Sequence, residues 1–222
     1  MSLMSKMLAQ CRRPSGWFGK LVSRGMNVSH SKLTDWGLKH ISIEKNFAIL
    51  DIGCGGGGTL FKLASVAAEG KVCGIDYSEE SVRASRRKNG KLIRAGRVTV
   101  QHGSVSAMPF SGSLFDLVSA IETHYFWPNL ASDLKEVLRV LKPGGRLIVM
   151  GGEYKGGKYD ERNAKWAELG NMAYHTATEL RELLSTVGFS EVEVFEEYEK
   201  GWICAVGRRP MHALQSDYQA SS

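Results

Sequence analysis

Leu50-Asp51-Ile52-Gly53-Cys54-Gly55-Gly56-Gly57-Gly58-Thr59 is the stretch from which this chain's fold can be read. Before it, Phe47 to Ile52 is an apolar run of strand length that carries one acidic residue. The glycines follow at once. Lacking a Cβ, they let the backbone turn tightly and let a ligand pack against the main chain. Thr59-Leu60-Phe61-Lys62-Leu63-Ala64 then reads as a helix that stops at Gly70. Strand, glycine turn and helix in that order make the opening unit of a ligand-binding α/β sheet.

The same alternation continues along the chain. Lys71 to Asp76, Val98 to His102 and Phe115 to Ile121 read as strands two to four, and Arg146 to Met150, after the Pro143-Gly144-Gly145 turn, as the fifth. Ser78, followed by Glu79 and Glu80, has the form of a helix N-cap with acid in its first turn. Leu130 to Leu141 is amphipathic, and Thr176 or Thr178 caps a helix that Gly188 closes. Two final strands, Glu191 to Glu196 and Trp202 to Arg208, are close enough in sequence to form a hairpin. The expected fold is α/β: a Rossmann-like, seven-stranded, mostly parallel sheet with one antiparallel strand and helices on both faces. Residues 1–46 are expected to form an N-terminal helical cap, 47–208 the binding domain, 154–175 a lid-like insertion and 209–222 a disordered tail.

Composition narrows the function. With 43% hydrophobic and 23% charged residues, the chain has an ordinary globular balance. No apolar run reaches the length of a membrane span, and Met1 to Lys20 lacks the apolar core of a secretory signal, so a cytoplasmic protein with no membrane partner is expected. Cys11, Cys54, Cys73 and Cys204 are scattered, with neither metal-ligand spacing nor a disulfide framework, so no metal is expected. The net charge of +6 is densest from Arg83 to Arg97, but on a helix these residues form a solvated face. Without interleaved aromatics, a nucleic-acid partner is not expected.

Gly53, Gly55 and Gly58 also satisfy the G-x-G-x-x-G dinucleotide pattern. That pattern seats a pyrophosphate, and Asp51, two residues before the first glycine, would repel one. A cofactor with a cationic end and no phosphate meets no such conflict. S-adenosylmethionine, with a sulfonium and an ammonium, is the cofactor that charge favours, and S-adenosylhomocysteine would be its product.

Several motifs in order resemble the class I S-adenosylmethionine-dependent methyltransferases, especially their small-molecule branch, from Phe47 to about Arg208. Asp51-Ile52-Gly53-Cys54-Gly55-Gly56-Gly57 is similar to the first motif, and Gly74-Ile75-Asp76-Tyr77-Ser78 to the second. His102-Gly103-Ser104-Val105 with Met108-Pro109-Phe110 resembles the adenine segment, Phe115-Asp116-Leu117-Val118 the fourth-strand motif, and Leu141-Lys142-Pro143-Gly144-Gly145 the family's turn. Ser104 stands where many members carry an aspartate. The resemblance implies that Gly53, Cys54, Gly55 and Gly57 approach the methionine moiety and that Asp51 fixes the loop and favours the positive end. It also implies that Asp76 takes the ribose, that Tyr77 covers the adenine, and that Ser104, Val105 and Ile121 line its pocket.

Methyl transfer asks the protein mainly for positioning and exclusion of water, and for a base only where the acceptor loses a proton. After the fourth strand, Glu122-Thr123-His124-Tyr125-Phe126-Trp127-Pro128 places candidates at the crevice mouth. His124 is the candidate base because imidazole titrates near neutrality. Glu122 is the second candidate, able also to hold the cofactor ammonium or support the loop. Trp36, Tyr125 and Tyr174 are candidates to bind a small-molecule acceptor. An RNA or protein acceptor, a non-catalytic cofactor-binding protein and an NAD(P)-dependent oxidoreductase are the alternatives, although the last leaves Lys142 to Gly145 and the hairpin unexplained.

Overall fold

The computed structural model describes residues 31–211. Most of the expected helical cap, the expected tail beyond residue 211, and Cys11 lie outside the described residues. The strands are β1 (Ala48–Ile52), β2 (Lys71–Asp76), β3 (Val98–His102), β4 (Phe115–Ile121), β5 (Leu141–Gly151), β6 (Ser190–Glu197) and β7 (Trp202–Arg208). They form one sheet in the order β3-β2-β1-β4-β5-β7-β6. β7 runs antiparallel to both β5 and β6, and the pairs from β3 through to β5 are parallel. Strand order reverses between β1 and β4, so a crevice opens at the carboxyl ends of those strands, where an open α/β sheet binds its ligand.

The central strands are apolar on both faces because both faces are covered. The two-residue period of a strand sends Leu50 of β1 and Val118 of β4 into one core and Ile49 and Leu117 into the other. Helix α1 (Gly58–Val66) contributes Leu60 and Leu63 to the second core. After α2 (Glu79–Lys88) and α3 (Gly90–Arg94), α4 (Leu130–Val140) contributes Leu134 and Val137 to the first. A fifth helix, α5 (Asp160–Gly170), lies within the insertion, and α6 (Ala177–Val187) adds Leu180 and Leu184 to the first core. Helices therefore flank the sheet on both sides.

Local signals set the helix ends. Ser78 accepts the Ser81 N–H at 3.4 Å, and Thr176 forms a reciprocal capping box with Glu179. Gly188 ends α6 at φ +119°. Other boundaries differ from the sequence reading. Helix α1 stops at Val66, not Gly70. Gly70 is needed for a different reason: a Cβ there would lie 2.0 Å from the Phe47 carbonyl oxygen. Strand β5 starts at Leu141 and runs through Pro143-Gly144-Gly145, which forms an irregularity in the β4–β5 register and not a turn before the strand. A Cβ on Gly145 would lie 3.0 Å from the Phe115 carbonyl oxygen, so glycine allows the chain to stay close enough to pair.

The basic stretch is only in part a solvated face. Arg86 donates to the Val100 carbonyl at 2.7 Å, and Arg97 donates to the carbonyls of Ala64, Ala67, Ala68 and Gly70 around the end of α1. Arg83 pairs with Glu79 and Glu80. Arg87, Lys88, Lys91 and Arg94 are exposed.

Of the N-terminal cap, residues 31–37 are helical and lead into a 3-10 turn, Leu38–His40. Gly37 is pressed against Met150 at the end of β5: a Cβ would meet its sulfur at 2.5 Å. Lys62 of α1 ties this segment down through the Ser31 carbonyl and Asp35. Among the described residues, Cys54, Cys73 and Cys204 are free thiols, and no helix is long and apolar enough to cross a membrane.

Candidate active site

The loop after β1 is anchored to the end of β2. The N–H groups of Gly53 and Cys54 donate to the Ile75 carbonyl at 2.8 and 3.0 Å. The Gly55 N–H donates to one Asp76 oxygen at 2.9 Å, and the Ser78 N–H to the other at 2.8 Å. Gly53, Gly55 and Gly57 all hold left-handed conformations, at φ +71°, +51° and +77°. Their surroundings differ. A Cβ on Gly53 would meet Thr123 Oγ1 at 2.3 Å, and one on Gly57 would meet Asn89 Nδ2 at 2.4 Å. On Gly55 it would find nothing closer than 3.9 Å. The outer glycines are packed against protein, and the middle one faces open space that a ligand can fill.

Two buried carboxyl groups flank this cradle. Asp51 accepts the Ser119 hydroxyl at 2.7 Å across the β1–β4 pair. Burial pushes its pKa up to about 7, against the pull of the Ser119 hydrogen bond, and the nearby Asp76 adds to the rise. Asp76 is raised as well, mainly by burial, with the N–H groups of Ser78 and Gly55 opposing. Such a site disfavours phosphate and gains from a cationic ligand. Cys54 is a buried thiol that burial raises far from reactivity.

On the β2–β3 side, Tyr77 is exposed beside Asp76, with its carbonyl 2.9 Å from His102 Nε2. Ser104 bridges to Ala107, and its hydroxyl accepts the Ser106 N–H at 3.2 Å. Val105 and Ile121 are buried in the two cores. These residues follow or end β2, β3 and β4 on the same carboxyl edge as the glycine loop.

On the β4–β5 side, Glu122 takes φ +56°, a rare conformation for a residue with a side chain. Its N–H donates to the Met150 carbonyl at 2.8 Å. Its half-buried carboxyl accepts the Tyr125 hydroxyl and the Gly152 N–H and is hydrogen-bonded to Glu153. Burial raises the pKa of Glu122, and that of Tyr125 is driven well up by burial and by the two glutamates. His124 is 6% exposed, its Nδ1 has no partner, and burial together with nearby His175 lowers its pKa to about 3. It is a neutral imidazole at physiological pH.

The structure thus brings Glu122, His124 and Tyr125 together. The Tyr174 phenol is shifted upward by burial, then by its hydrogen bond to Asp160, with a smaller effect from Glu153. Its hydroxyl donates to Asp160 Oδ1 at 2.5 Å at the start of α5. Trp36 packs instead against Trp202 and His40, with ring centroids 5.9 and 5.0 Å away. Sequence reasoning missed Glu153, Thr123, Asn89 and Ser119. Only Ser119 left a usable signal, as a hydroxyl in a mostly apolar strand.

A sheet with this order and a glycine loop held between two strand-end carboxylates define a Rossmann-like methyltransferase. A methyltransferase-domain family model matches residues 43–187, and the chain belongs to that family, within the class I S-adenosylmethionine-dependent methyltransferases. It is 33% identical over 136 residues to the sterol 4-C-methyltransferase strm-1 of Caenorhabditis elegans, covering 61% of this chain and 39% of that protein. It is 31% identical over 147 residues to an O-methyltransferase of Pyrenophora dematioidea, covering 65% and 55%. The match therefore spans about half or less of these relatives' lengths. The fold is shared with a chain from the complex between the Haloferax volcanii Trm112 methyltransferase activator and a methyltransferase, at TM-score 0.76 and 21% identity, covering 95% of this chain and 99% of that one.

Proposed function

We propose that this chain binds S-adenosylmethionine in the glycine loop and catalyses methyl transfer to an oxygen or carbon of a small molecule. The observation that carries this reading is the pair of buried, upward-shifted carboxyls, Asp51 and Asp76, on either side of an open Gly55. The cofactor supplies an electrophilic methyl and a positive charge. Asp76, whose oxygens each accept one loop N–H, keeps acceptor capacity for the ribose hydroxyls. Asp51 favours the cationic end, Gly53, Cys54, Gly55 and Gly57 form the cradle, and Tyr77, Ser104, Val105 and Ile121 form the adenine pocket. No metal is required.

At the crevice mouth, Glu122 is the better-placed proton acceptor. Its half-buried carboxyl has a raised pKa, the direction that makes a carboxylate a better base. The neutral His124 is suited to hydrogen-bond an acceptor through its unpartnered Nδ1, with Tyr125, Tyr174 and Trp36 as candidate walls. Residues 154–175 act as the lid. The relatives named as O- and 4-C-methyltransferases support an acceptor that loses a proton on methylation.

Calorimetric titration with S-adenosylhomocysteine, beside an NADH control, tests the cofactor. Micromolar binding that Asp76→Ala abolishes is the expected result. Binding of NADH alone would refute it.

A further inference from the structure

We infer that Glu153, which no sequence motif marks, is a positioning residue for the acceptor's proton. Glu122 and Glu153, hydrogen-bonded to each other and to the Tyr125 hydroxyl, form a carboxyl pair whose proton count follows the charge on the cofactor's sulfur. The inference rests on the cofactor reading above.

The geometry places the pair in one small volume. Glu122 follows β4 and Glu153 follows Gly152, just beyond the end of β5, and these are neighbouring strands. The strained Glu122 backbone directs its carboxyl toward the β5 end, where Oε1 lies 3.5 Å from a Cβ position on Gly152. Thr123, the next residue, rests on Gly53 of the cofactor loop. The imidazole of His124 and the ring of Tyr125 meet over Gly151, 3.2 and 3.3 Å from its Cβ position. His124 Nδ1 is left buried and without a hydrogen-bond partner. The pair is also faced by Tyr174 from the insertion, while His175 and Asp51 are the other titratable groups at this end of the sheet.

Two carboxyls within hydrogen-bond reach cannot both ionise without cost, so the empty pair holds one proton. With a cationic methyl donor bound, the repulsion between the two carboxyls would be offset and the pair would lose that proton, leaving a doubly ionised base. The pair then takes the acceptor's proton as the acceptor's electrons form the new bond to the methyl carbon. The sulfur keeps the electrons of the broken bond and becomes neutral, and the pair returns to its singly protonated state. Atoms and charge balance: the proton released to solvent on binding offsets the positive charge brought in on sulfur, and the acceptor's proton restores the pair to its starting state. A base prepared only when the methyl donor is present would follow from this arrangement.

S-adenosylmethionine and S-adenosylhomocysteine differ by that methyl and its charge, so they serve as probes without an acceptor. Each is titrated calorimetrically at about pH 7 in phosphate and in Tris, whose ionisation heats differ, and the change in observed heat counts the protons released. The expected result is proton release on S-adenosylmethionine binding beyond that seen with S-adenosylhomocysteine. The excess should vanish in Glu153→Gln and in Glu122→Gln variants that still bind S-adenosylhomocysteine. Equal counts for the two ligands in the wild-type protein would overturn the inference. So would an excess that survives Glu153→Gln, which would assign the proton to Asp51. A wild-type protein that binds neither ligand refutes the cofactor reading instead.

Discussion

The side-chain amide of Asn89 donates to the Gly57 carbonyl at 3.0 Å, so the end of α2 holds the loop that leads into α1. The same amide donates to the Ser85 carbonyl at 3.1 Å. Asn89→Ala leaves a buried loop carbonyl without this donor, a loss of about 1–3 kcal/mol. The variant should melt at lower temperature and bind S-adenosylhomocysteine more weakly, both measurable by thermal denaturation with and without ligand. An unchanged ligand-induced shift would show that the tie serves stability alone.

Gly53 and Gly96 separate backbone strain from crowding. Both have positive φ, at +71° and +68°, but a Cβ on Gly96 meets nothing within 4 Å. Gly96→Ala should cost about 1–2 kcal/mol, the left-handed penalty alone. Gly53→Ala adds a collision with Thr123, and should lose roughly a further 1–3 kcal/mol together with cofactor binding. Urea denaturation of the two variants gives the comparison.

Asp51 makes the stability of the ligand-free protein depend on pH. Its folded pKa, about 7, lies above the ordinary aspartate value of 3.8. The folded state therefore binds more protons between these values. The stabilisation from the protonated form is complete below about pH 4 and lost as pH rises through about 7. Asp51→Asn removes that loss. Its stability relative to wild type should rise by a few kcal/mol across this window and level off above it. Denaturation curves at intervals of pH would show the rise. A flat difference would mean that the carboxyl is ionised throughout.

Arg97 acts as a fixed clamp on the end of α1. Its guanidinium meets four backbone carbonyls, with Gly70 at 2.7 Å and Ala64 at 3.1 Å. A lysine cannot reproduce this planar, many-donor geometry. Arg97→Lys should cost about 2 kcal/mol, while Arg94→Lys, on the exposed surface, should be nearly neutral. Equal stabilities would contradict the clamp.

Elements with a local cause were legible in the sequence. The Ser78 cap, the helix start at Thr176 or Thr178 and the apolar runs of β1 and β4 depend on neighbours a few residues apart, and the structure agrees with them, with Thr176 as the cap. Gly70 and Gly145 were read as punctuation because a glycine's local signal is a turn. A Cβ on Gly70 would meet the distant Phe47 carbonyl, and one on Gly145 would meet the carbonyls of both the nearby Lys142 and the distant Phe115. Arg97 reads as a solvated charge for the same reason: its carbonyl partners lie at and just beyond the end of α1, about thirty residues earlier in the chain. The arrangement proposed to hold the cofactor was legible because Asp51, the glycines and Asp76 lie at strand ends in a fixed order. The cluster proposed for the acceptor side was only half legible, because His124 and Glu122 share one loop but Glu153 follows a neighbouring strand.

The sequence by itself determined the α/β alternation, the glycine loop and the charge that favours a cationic cofactor, because strand period, glycine's missing Cβ and a nearby carboxylate act over short distances. Tertiary structure alone decided which glycine stays open, which arginine holds a helix end, and how Glu122, Glu153 and Tyr125 share their hydrogen bonds. Burial and cross-strand contact set those properties, and neither exists until β4 and β5 lie side by side.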